Sequence, residues 1–287
     1  MITSLAVGAT GRTFLCHETL PKVLKAPKVY SRHPKLASFY GETKEGNTYA
    51  TQCSHILRED HMYEQLHLSP SLVRYFGREY DSISLEYAKE GTLRRLFNQP
   101  KERAKHGSEE VKLRYCNVAL DLLTQVCSAI LDLQDIGLLC HADIKPGNIF
   151  LNDSYTVKIG DLSTSFLQDS SKDAFLREAV GTNYFPRYAS QELLHNKKPT
   201  TKVDVNAIGM MLVDAFGEHK TLSTAKEQPY HKRKDIREII IMPSATSFSI
   251  IDPKQKLDEI IFHATRTDPR QRWDLATLRD ALIELRE

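Results

Sequence analysis

The segment from His141 to Asn148 constrains this chain more than any other. It places the carboxylate of Asp143, the ammonium of Lys145 and the amide of Asn148 at a spacing that lets all three reach one phosphoryl group. A polar segment containing a Pro-Gly pair can equally be an ordinary surface turn. The residues that follow it distinguish the two interpretations.

A short hairpin is predicted directly after this segment. Two apolar runs, residues 149–151 and 157–159, flank a turn at Asn152 and Asp153. Such a hairpin returns the chain so that Asp161 lies beside Asn148. A carboxylate and an amide oxygen at one point suit Mg²⁺ when phosphates supply other ligands. The sequence therefore predicts a metal site at Asn148 and Asp161.

These two motifs resemble the catalytic loop and the metal-binding motif of eukaryotic protein kinases. The family pattern is His-Arg-Asp with Asn five positions after the Asp, and Asp-Phe-Gly further on. This chain departs from the pattern at Ala142, where the family has Arg, and at Leu162 and Ser163, where it has Phe and Gly.

The resemblance implies a role for each polar residue of the two motifs. Asp143 would orient the substrate hydroxyl and accept its proton, and Lys145 would lie near the transferred phosphate. Asn148 and Asp161 would hold the Mg²⁺ ions that bridge the ATP phosphates. Lys145 followed by Pro146 is similar to the serine/threonine class of the family.

Residues 6–11 resemble the Gly-rich loop of the family, with Ala6 in place of its first glycine. Gly8 and Gly11 would let the backbone approach the nucleotide phosphates closely. An ordinary hairpin turn is the alternative.

Lys25 resembles the phosphate-anchoring lysine of the family, because the apolar pair Val23 and Leu24 precedes it. Its expected partner is Glu59, which shares a helical face with apolar residues, whereas Asp60 and Glu64 fall off that face. An acid on a buried face needs a cation. We therefore expect a Lys25–Glu59 ion pair, and a purely structural salt bridge is the alternative.

The resemblance also predicts a nucleotide-base site and a supporting scaffold. Adenine would lie against a hinge from Glu86 to Ala88, behind Leu85. Four scaffold residues match the family. Glu192 would pair with Arg272, Asp204 would accept hydrogen bonds from the catalytic-loop backbone, and Gly209 would follow in the same helix as Asp204. The segment around Gly181 and Thr182 would end the activation segment.

Composition and charge narrow the function classes. The 39 Lys and Arg residues nearly balance the 37 Asp and Glu residues, so no global field favours nucleic acid or an anionic membrane. The five cysteines have no metal-type spacing and favour reduced thiols. With no signal-peptide pattern and no run of about 18 apolar residues, we expect a soluble intracellular protein, cytoplasmic or nuclear.

We expect an α+β, two-lobed protein-kinase-like fold. Residues 1–88 would form a small N-lobe with an antiparallel sheet and one helix, about residues 51–68, and residues 89–287 a larger, mainly helical C-lobe. Strands are predicted at about 72–76 and 82–87, and a charged loop at 99–107. Ser108 is the expected N-cap of a long helix that Gly137 ends, and a second helix, about 202–216, should be deeply buried.

The implied activity is transfer of the γ-phosphate of ATP, with Mg²⁺, to serine or threonine hydroxyls of protein substrates. A pseudokinase scaffold is one alternative, because the chain departs from the family pattern at Ala6, at Ala142, at residues 162–163 and at residues 190–191. A small-molecule phosphotransferase is another. Because Ala142 lacks the guanidinium that binds a phosphorylated activation loop in many kinases, we expect activity that does not depend strongly on such a phosphate.

Overall fold

A five-stranded antiparallel sheet and one long helix form the N-terminal part of the computed structural model. The model describes residues 1–7, 11–28, 31–40, 47–169, 187–219, 236–239 and 252–286. The strands are β1 (Ile2–Val7), β2 (Arg12–Cys16), β3 (Lys22–Ala26), β4 (Tyr75–Glu79) and β5 (Ser82–Glu86), and the helix is α1 (Asn47–Leu66). The strand order is β1-β2-β3-β5-β4.

Strand alternation determines where Lys25 points. Side chains of a strand alternate between the two faces of a sheet. Leu24 and Ala26 pack into a small apolar cluster with Phe14 and Leu36. Lys25 therefore projects from the opposite face, the one that α1 covers.

The rest of the chain is mainly helical, as expected for the larger lobe. Its elements are α2 (Leu93–Leu96), α3 (Gln99–Lys105), α4 (Glu109–Asp135), β6 (Leu138–Cys140), β7 (Ile149–Leu151), β8 (Val157–Ile159), β9 (Phe166–Leu167), α5 (Gln191–Leu194), α6 (Lys202–Phe216), β10 (Gly217–His219), β11 (Ile236–Ile239), α7 (Pro253–Ala264) and α8 (Leu275–Arg286). The two-lobed α+β fold is thus confirmed. The division at residue 88 falls between β5 and α2 and stays a prediction.

Helix α4 begins and ends as its sequence indicated. The Ser108 side chain accepts a hydrogen bond from the backbone N–H of Val111 at 3.4 Å, which caps the first turn. Gly137, with a φ of +119°, follows the last turn. By length and composition α4 could cross a membrane, and 56% of its apolar window is buried inside the protein.

The loop predicted at residues 99–107 was wrong, because residues 99–105 form helix α3. Pro100 lies in its first turn, where a proline is tolerated, and Ala104 is fully buried. The Lys101 ammonium donates to the carbonyl oxygens of Asp214 and Gly217 at 2.6 and 2.7 Å. Lys101 therefore satisfies backbone carbonyl groups at the carboxyl end of α6.

Two predicted boundaries also differ from the structure. Helix α1 extends over Asn47–Leu66 rather than 51–68, and β4 begins at Tyr75 rather than at residue 72. The chain just before β4 pairs with β8 instead, since the Val73 N–H donates to the Ile159 carbonyl at 2.9 Å. This contact ties the smaller lobe to the hairpin that precedes Asp161.

Candidate active site

The segment His141–Asn148 connects β6 to β7, and the start of α6 fixes its backbone. The fully buried carboxylate of Asp204 accepts the backbone N–H groups of His141 at 2.8 Å and Ala142 at 3.0 Å. The predicted role of Asp204 as acceptor for this loop is confirmed. Burial raises the pKa of Asp204, and the neighbouring His141 and the two N–H donors oppose that rise.

Ala142 lies at a φ of +66°, a left-handed conformation that is uncommon for a residue with a side chain. Its methyl group packs in an apolar cluster with Cys140, Leu193 and Val203. The Asp204 contact holds this conformation through the backbone N–H groups of His141 and Ala142.

Asp143 forms a compact polar group with Lys145 and Asn148. The Lys145 ammonium donates to Asp143 Oδ2, and Asn148 Nδ2 donates to the same oxygen at 3.0 Å and to the Asp143 carbonyl at 2.9 Å. Burial raises the pKa of Asp143, while Lys145 opposes the rise. Among the described residues both side-chain donors use Oδ2, so Oδ1 can accept a proton.

The predicted hairpin brings Asp161 beside this group. Strands β7 and β8 pair antiparallel, with Ile149 opposite Ile159. The Gly160 N–H donates to the Asn148 carbonyl at 3.1 Å, which closes the hairpin next to the catalytic loop. Asp161 itself has a φ of +63°. The sequence prediction that Asp161 returns to Asn148 is confirmed.

Lys25 joins the two lobes at the same point. Its ammonium lies 2.5 Å from Glu59 Oε2 and 2.8 Å from Asp161 Oδ1, so the predicted Lys25–Glu59 pair is confirmed. Burial opposes the charge of Lys25, but the two carboxylates outweigh it and raise the pKa of Lys25.

The pKa values of the two carboxylates that share Lys25 shift in opposite directions. Burial raises the pKa of Glu59 to about 7, despite the opposing effect of Lys25. Burial would also raise the pKa of Asp161, but Lys25, Lys145 and Ser163 outweigh it and hold that pKa well below its usual range. Asp161 is therefore the carboxylate that stays ionised and able to bind a cation.

The residues predicted to contact the nucleotide lie around this centre, and their roles stay predictions. Gly8 lies outside the described residues. A Cβ on Gly11 would lie 2.8 Å from the Ala26 carbonyl, so Gly11 is already required for the approach of β2 to β3. Glu86 ends β5, and its side chain accepts the Arg74 N–H at 3.2 Å. Ala88 follows in the connection to α2, where its carbonyl accepts the Gly91 N–H at 3.0 Å.

The supporting pair predicted further along the chain is present. Arg272 donates to both oxygens of Glu192, at 2.7 and 3.3 Å, and both side chains are buried. The same guanidinium donates to the carbonyl oxygens of Arg266 and Lys202. Gly181 and Thr182 lie outside the described residues.

Asp60 was expected to fall off the buried face of α1, and this was wrong. It is 6% exposed and accepts hydrogen bonds from the Tyr75 hydroxyl and, at 2.6 Å, from Arg78 Nε. Strand β4 provides these partners, so helical periodicity alone could not place them.

Sequence reasoning also missed two residues next to the site. The buried Arg58 donates to the Ser165 carbonyl at 2.5 Å and lies over the Phe166 ring. Ser163 was noted only as a departure from the family pattern, yet its hydroxyl donates to Asp161 Oδ1 at 2.9 Å. The only sequence signal for Arg58 was its position directly beside Glu59. The signal for Ser163 was a hydroxyl side chain two positions after Asp161.

The donor set at the centre fits Mg²⁺ and the phosphates of a nucleotide. Asp161 and Asn148 offer a carboxylate and an amide oxygen, which are hard donors, and Mg²⁺ is usually held by one or two carboxylates plus substrate phosphates. The positive charges of Lys25 and Lys145 both act on Asp161 and lower its pKa. Charge and donor chemistry are thus both suited to a metal–triphosphate.

Comparison with known proteins agrees with this geometry. The family model described as the protein kinase domain matches residues 4–281. A protein of Dictyostelium discoideum named "Probable serine/threonine-protein kinase nek2" is 29% identical over 152 residues, which cover 50% of this chain and 34% of that protein. A Caenorhabditis elegans protein named "Serine/threonine-protein kinase plk-1" is 29% identical over 192 residues, which cover 64% of this chain and 27% of that protein.

A third relative, the "G2-specific protein kinase nimA" of Emericella nidulans, is 27% identical over 241 residues, which cover 73% of this chain and 32% of that protein. The chain thus spans about a third or less of the length of these curated relatives. The family match covers nearly the whole chain and includes every element of the site described above. The chain belongs to the protein kinase domain family.

Proposed function

We propose that this chain transfers the γ-phosphoryl group of ATP to serine and threonine hydroxyls of protein substrates, with Mg²⁺ as cofactor. The observation that carries the proposal is the position of Lys25, which binds Glu59 and Asp161 at once. The assembled arrangement brings the phosphate-binding side of one lobe to the metal-binding side of the other.

The residues of the site have complementary tasks in this reaction. Phosphoryl transfer develops negative charge on the transferred group, so catalysis consists mainly of alignment and charge neutralisation. Asp143 orients the hydroxyl and accepts its proton at Oδ1, and Lys145 lies beside it with a positive charge. Lys25 holds phosphate oxygens from the smaller lobe. Asn148 and Asp161 would hold Mg²⁺, which supplies additional positive charge when bound.

The serine/threonine preference is supported by Lys145 and Pro146 and by the names of the relatives. The departures from the family pattern do not remove a reacting group. The backbone N–H of Ala142 still binds Asp204, and Leu162 is fully buried in the main core. Within the described residues, no structural observation favours a scaffold without activity.

Independence from a loop phosphate remains part of the proposal. The hydroxyls of Thr164 and Ser165 donate to the His141 carbonyl at 3.4 and 3.1 Å, and Ser163 donates to Asp161. All three side chains are buried, so they are poor acceptors of a regulatory phosphate. We propose the same independence for Ser170 and Ser171, which lie outside the described residues.

The test is phosphate transfer from radiolabelled ATP and Mg²⁺ to a generic protein substrate, followed by phosphoamino-acid analysis. We expect labelled serine and threonine, and a loss of at least about a hundredfold in Asp161→Asn and Asp143→Asn, which remove a metal ligand and the proton acceptor. The matched control is Asp153→Asn, an exposed acid in the β7–β8 turn, which should retain full activity.

Two results would contradict the proposal. Label that appears only on small alcohols would identify a small-molecule phosphotransferase. Nucleotide binding without any transfer would identify a scaffold. We further propose an intracellular location, cytoplasmic or nuclear, because the odd number of cysteines and their lack of metal-type spacing favour reduced thiols. Imaging of the tagged full-length protein in its own cells tests this.

A further inference from the structure

We infer that Ser163 is a positioning residue that holds Asp161 in its cation-binding orientation. The inference rests on the proposed function and concerns how this chain keeps its metal ligand in place. It starts from the 2.9 Å hydrogen bond that the Ser163 hydroxyl donates to Asp161 Oδ1. Ser163 is 2% exposed, so water competes little for this bond.

The turn that carries Ser163 is firmly anchored. It is a short 3-10 helix, Leu162–Thr164, that begins directly after Asp161. Leu162 is fully buried in the main core. The Ser165 N–H donates to the Leu162 carbonyl at 3.1 Å, and the Thr164 and Ser165 hydroxyls bind the His141 carbonyl. The donor on Ser163 therefore has a fixed position relative to the catalytic loop.

Ser163 and Lys25 bind the same oxygen of Asp161. Lys25 Nζ lies 2.8 Å from Oδ1, and among the described residues Oδ2 accepts no hydrogen bond. This division leaves Oδ2 available to a cation. Lys25 belongs to the sheet of the smaller lobe, whereas Ser163 belongs to the same turn as Asp161. When Lys25 turns to phosphate oxygens, Ser163 still holds the carboxylate.

A glycine at position 163, as in the family pattern, would lack this donor and would allow more backbone conformations. Asp161 has a left-handed backbone, which is strained for a residue other than glycine and must be held by its surroundings. To rotate Asp161 away from the site, this chain must break the Ser163 bond and move Leu162 out of the core. We therefore expect the inward orientation to persist even without nucleotide.

The first measurement is Mn²⁺ affinity of the full chain in the presence of a non-hydrolysable ATP analogue, by electron paramagnetic resonance. Ser163→Ala should weaken Mn²⁺ binding about tenfold, the effect of losing one hydrogen bond to a charged group. Ser163→Gly should weaken it at least as much, and Ser163→Thr, which keeps the hydroxyl, should restore most of the affinity.

The matched control is Ser165→Ala. It removes another fully buried hydroxyl of the same segment, which binds the His141 carbonyl and not Asp161. It should keep the wild-type Mn²⁺ affinity within about twofold, because Thr164 still donates to that carbonyl.

The second measurement needs no ligand. Hydrogen exchange of the amides of residues 160–165 in the nucleotide-free protein should be about tenfold faster in Ser163→Ala than in wild type. The melting temperature of each variant shows that it is folded.

Unchanged Mn²⁺ affinity and exchange in Ser163→Ala would overturn the inference, as would an equal loss of affinity in Ser165→Ala. Mn²⁺ binding with no phosphate transfer in any form would refute the proposed function and leave the Ser163 result valid. If wild type binds no Mn²⁺–nucleotide, the proposed function fails, and the exchange rates alone decide whether Ser163 holds Asp161.

Discussion

The ammonium of Lys25 lies 2.5 Å from the carboxylate of Glu59, and Glu59 has no exposed surface. A buried acid of this kind cannot exchange its partner for water. The pair therefore fixes the position of α1 against the sheet. Its contribution can be measured as a change in the free energy of unfolding.

Replacing Lys25 by Met should lower the free energy of unfolding by about 3–5 kcal/mol, because it leaves Glu59 and Asp161 without their cation. Urea denaturation measures this change. Adding Glu59→Gln to Lys25→Met should recover part of the loss, since the uncompensated buried charge is then removed. A loss below about 1 kcal/mol would mean that the pair is exposed in solution.

The raised pKa of Glu59 predicts a pH dependence with a definite sign. Between its ordinary value of 4.5 and the value of about 7 in the folded protein, the folded state holds a proton that the unfolded state has lost. The contribution of Glu59 to stability is therefore present below pH 4.5 and falls as pH rises towards 7. The difference in unfolding free energy between wild type and Glu59→Gln should decrease over this window, with a slope of at most about 1.4 kcal/mol per pH unit. A difference that increases with pH would contradict the assignment.

Arg272 and Arg270 are two residues apart and provide a matched pair of substitutions. Arg272→Ala leaves the buried Glu192 unpaired and should cost about 3–5 kcal/mol. Arg270 forms an exposed pair with Asp268, so Arg270→Ala should change stability by less than about 1 kcal/mol. Thermal and urea unfolding of both variants check this, and equal losses would refute the structural role of the Glu192–Arg272 pair.

Gly209 allows α6 to pack closely on the end of α7. A Cβ at this position would lie 2.7 Å from Thr265 Cγ2 and 2.8 Å from Ala264 Cβ. Gly209→Ala should therefore destabilise the protein by about 1–3 kcal/mol through overpacking. A Cβ on Gly147 would meet no atom within 4 Å, so Gly147→Ala should leave the unfolding free energy nearly unchanged, and an equal effect of both would rule out overpacking.

The sequence predicted those parts of the site that local patterns encode. The spacing within residues 141–148 and the apolar runs of β7 and β8 are local, so the meeting of Asn148 and Asp161 was predictable. Helical periodicity placed Glu59 on the buried face. The family resemblance then supplied Asp204 and the Glu192–Arg272 pair, whose partners are too distant in the chain for any local pattern.

The remaining features depend on tertiary partners that no local pattern shows. Arg58 binds the carbonyl of Ser165, 107 residues away, and Asp60 is buried only because Tyr75 and Arg78 cover it. Lys101 was placed in a charged loop, because its carbonyl partners lie 113 and 116 residues away and leave no local signal. A charged side chain therefore indicates an exposed segment only when no group distant in the chain binds that charge.

The length of helix α6 sets the distance between two contacts that anchor the reaction centre. Asp204 at its start binds the catalytic loop, and Asp214 near its end binds Arg187 and Tyr188. The separation of ten positions between these acids corresponds to about 15 Å along the helix axis. The helix thus fixes the spacing of the two acids. Deleting one residue between Asp204 and Asp214 would shift one end of the helix by about 1.5 Å and turn it by about 100°. Both ends could not then keep their partners, so the length of α6 is as constrained as any side chain it carries.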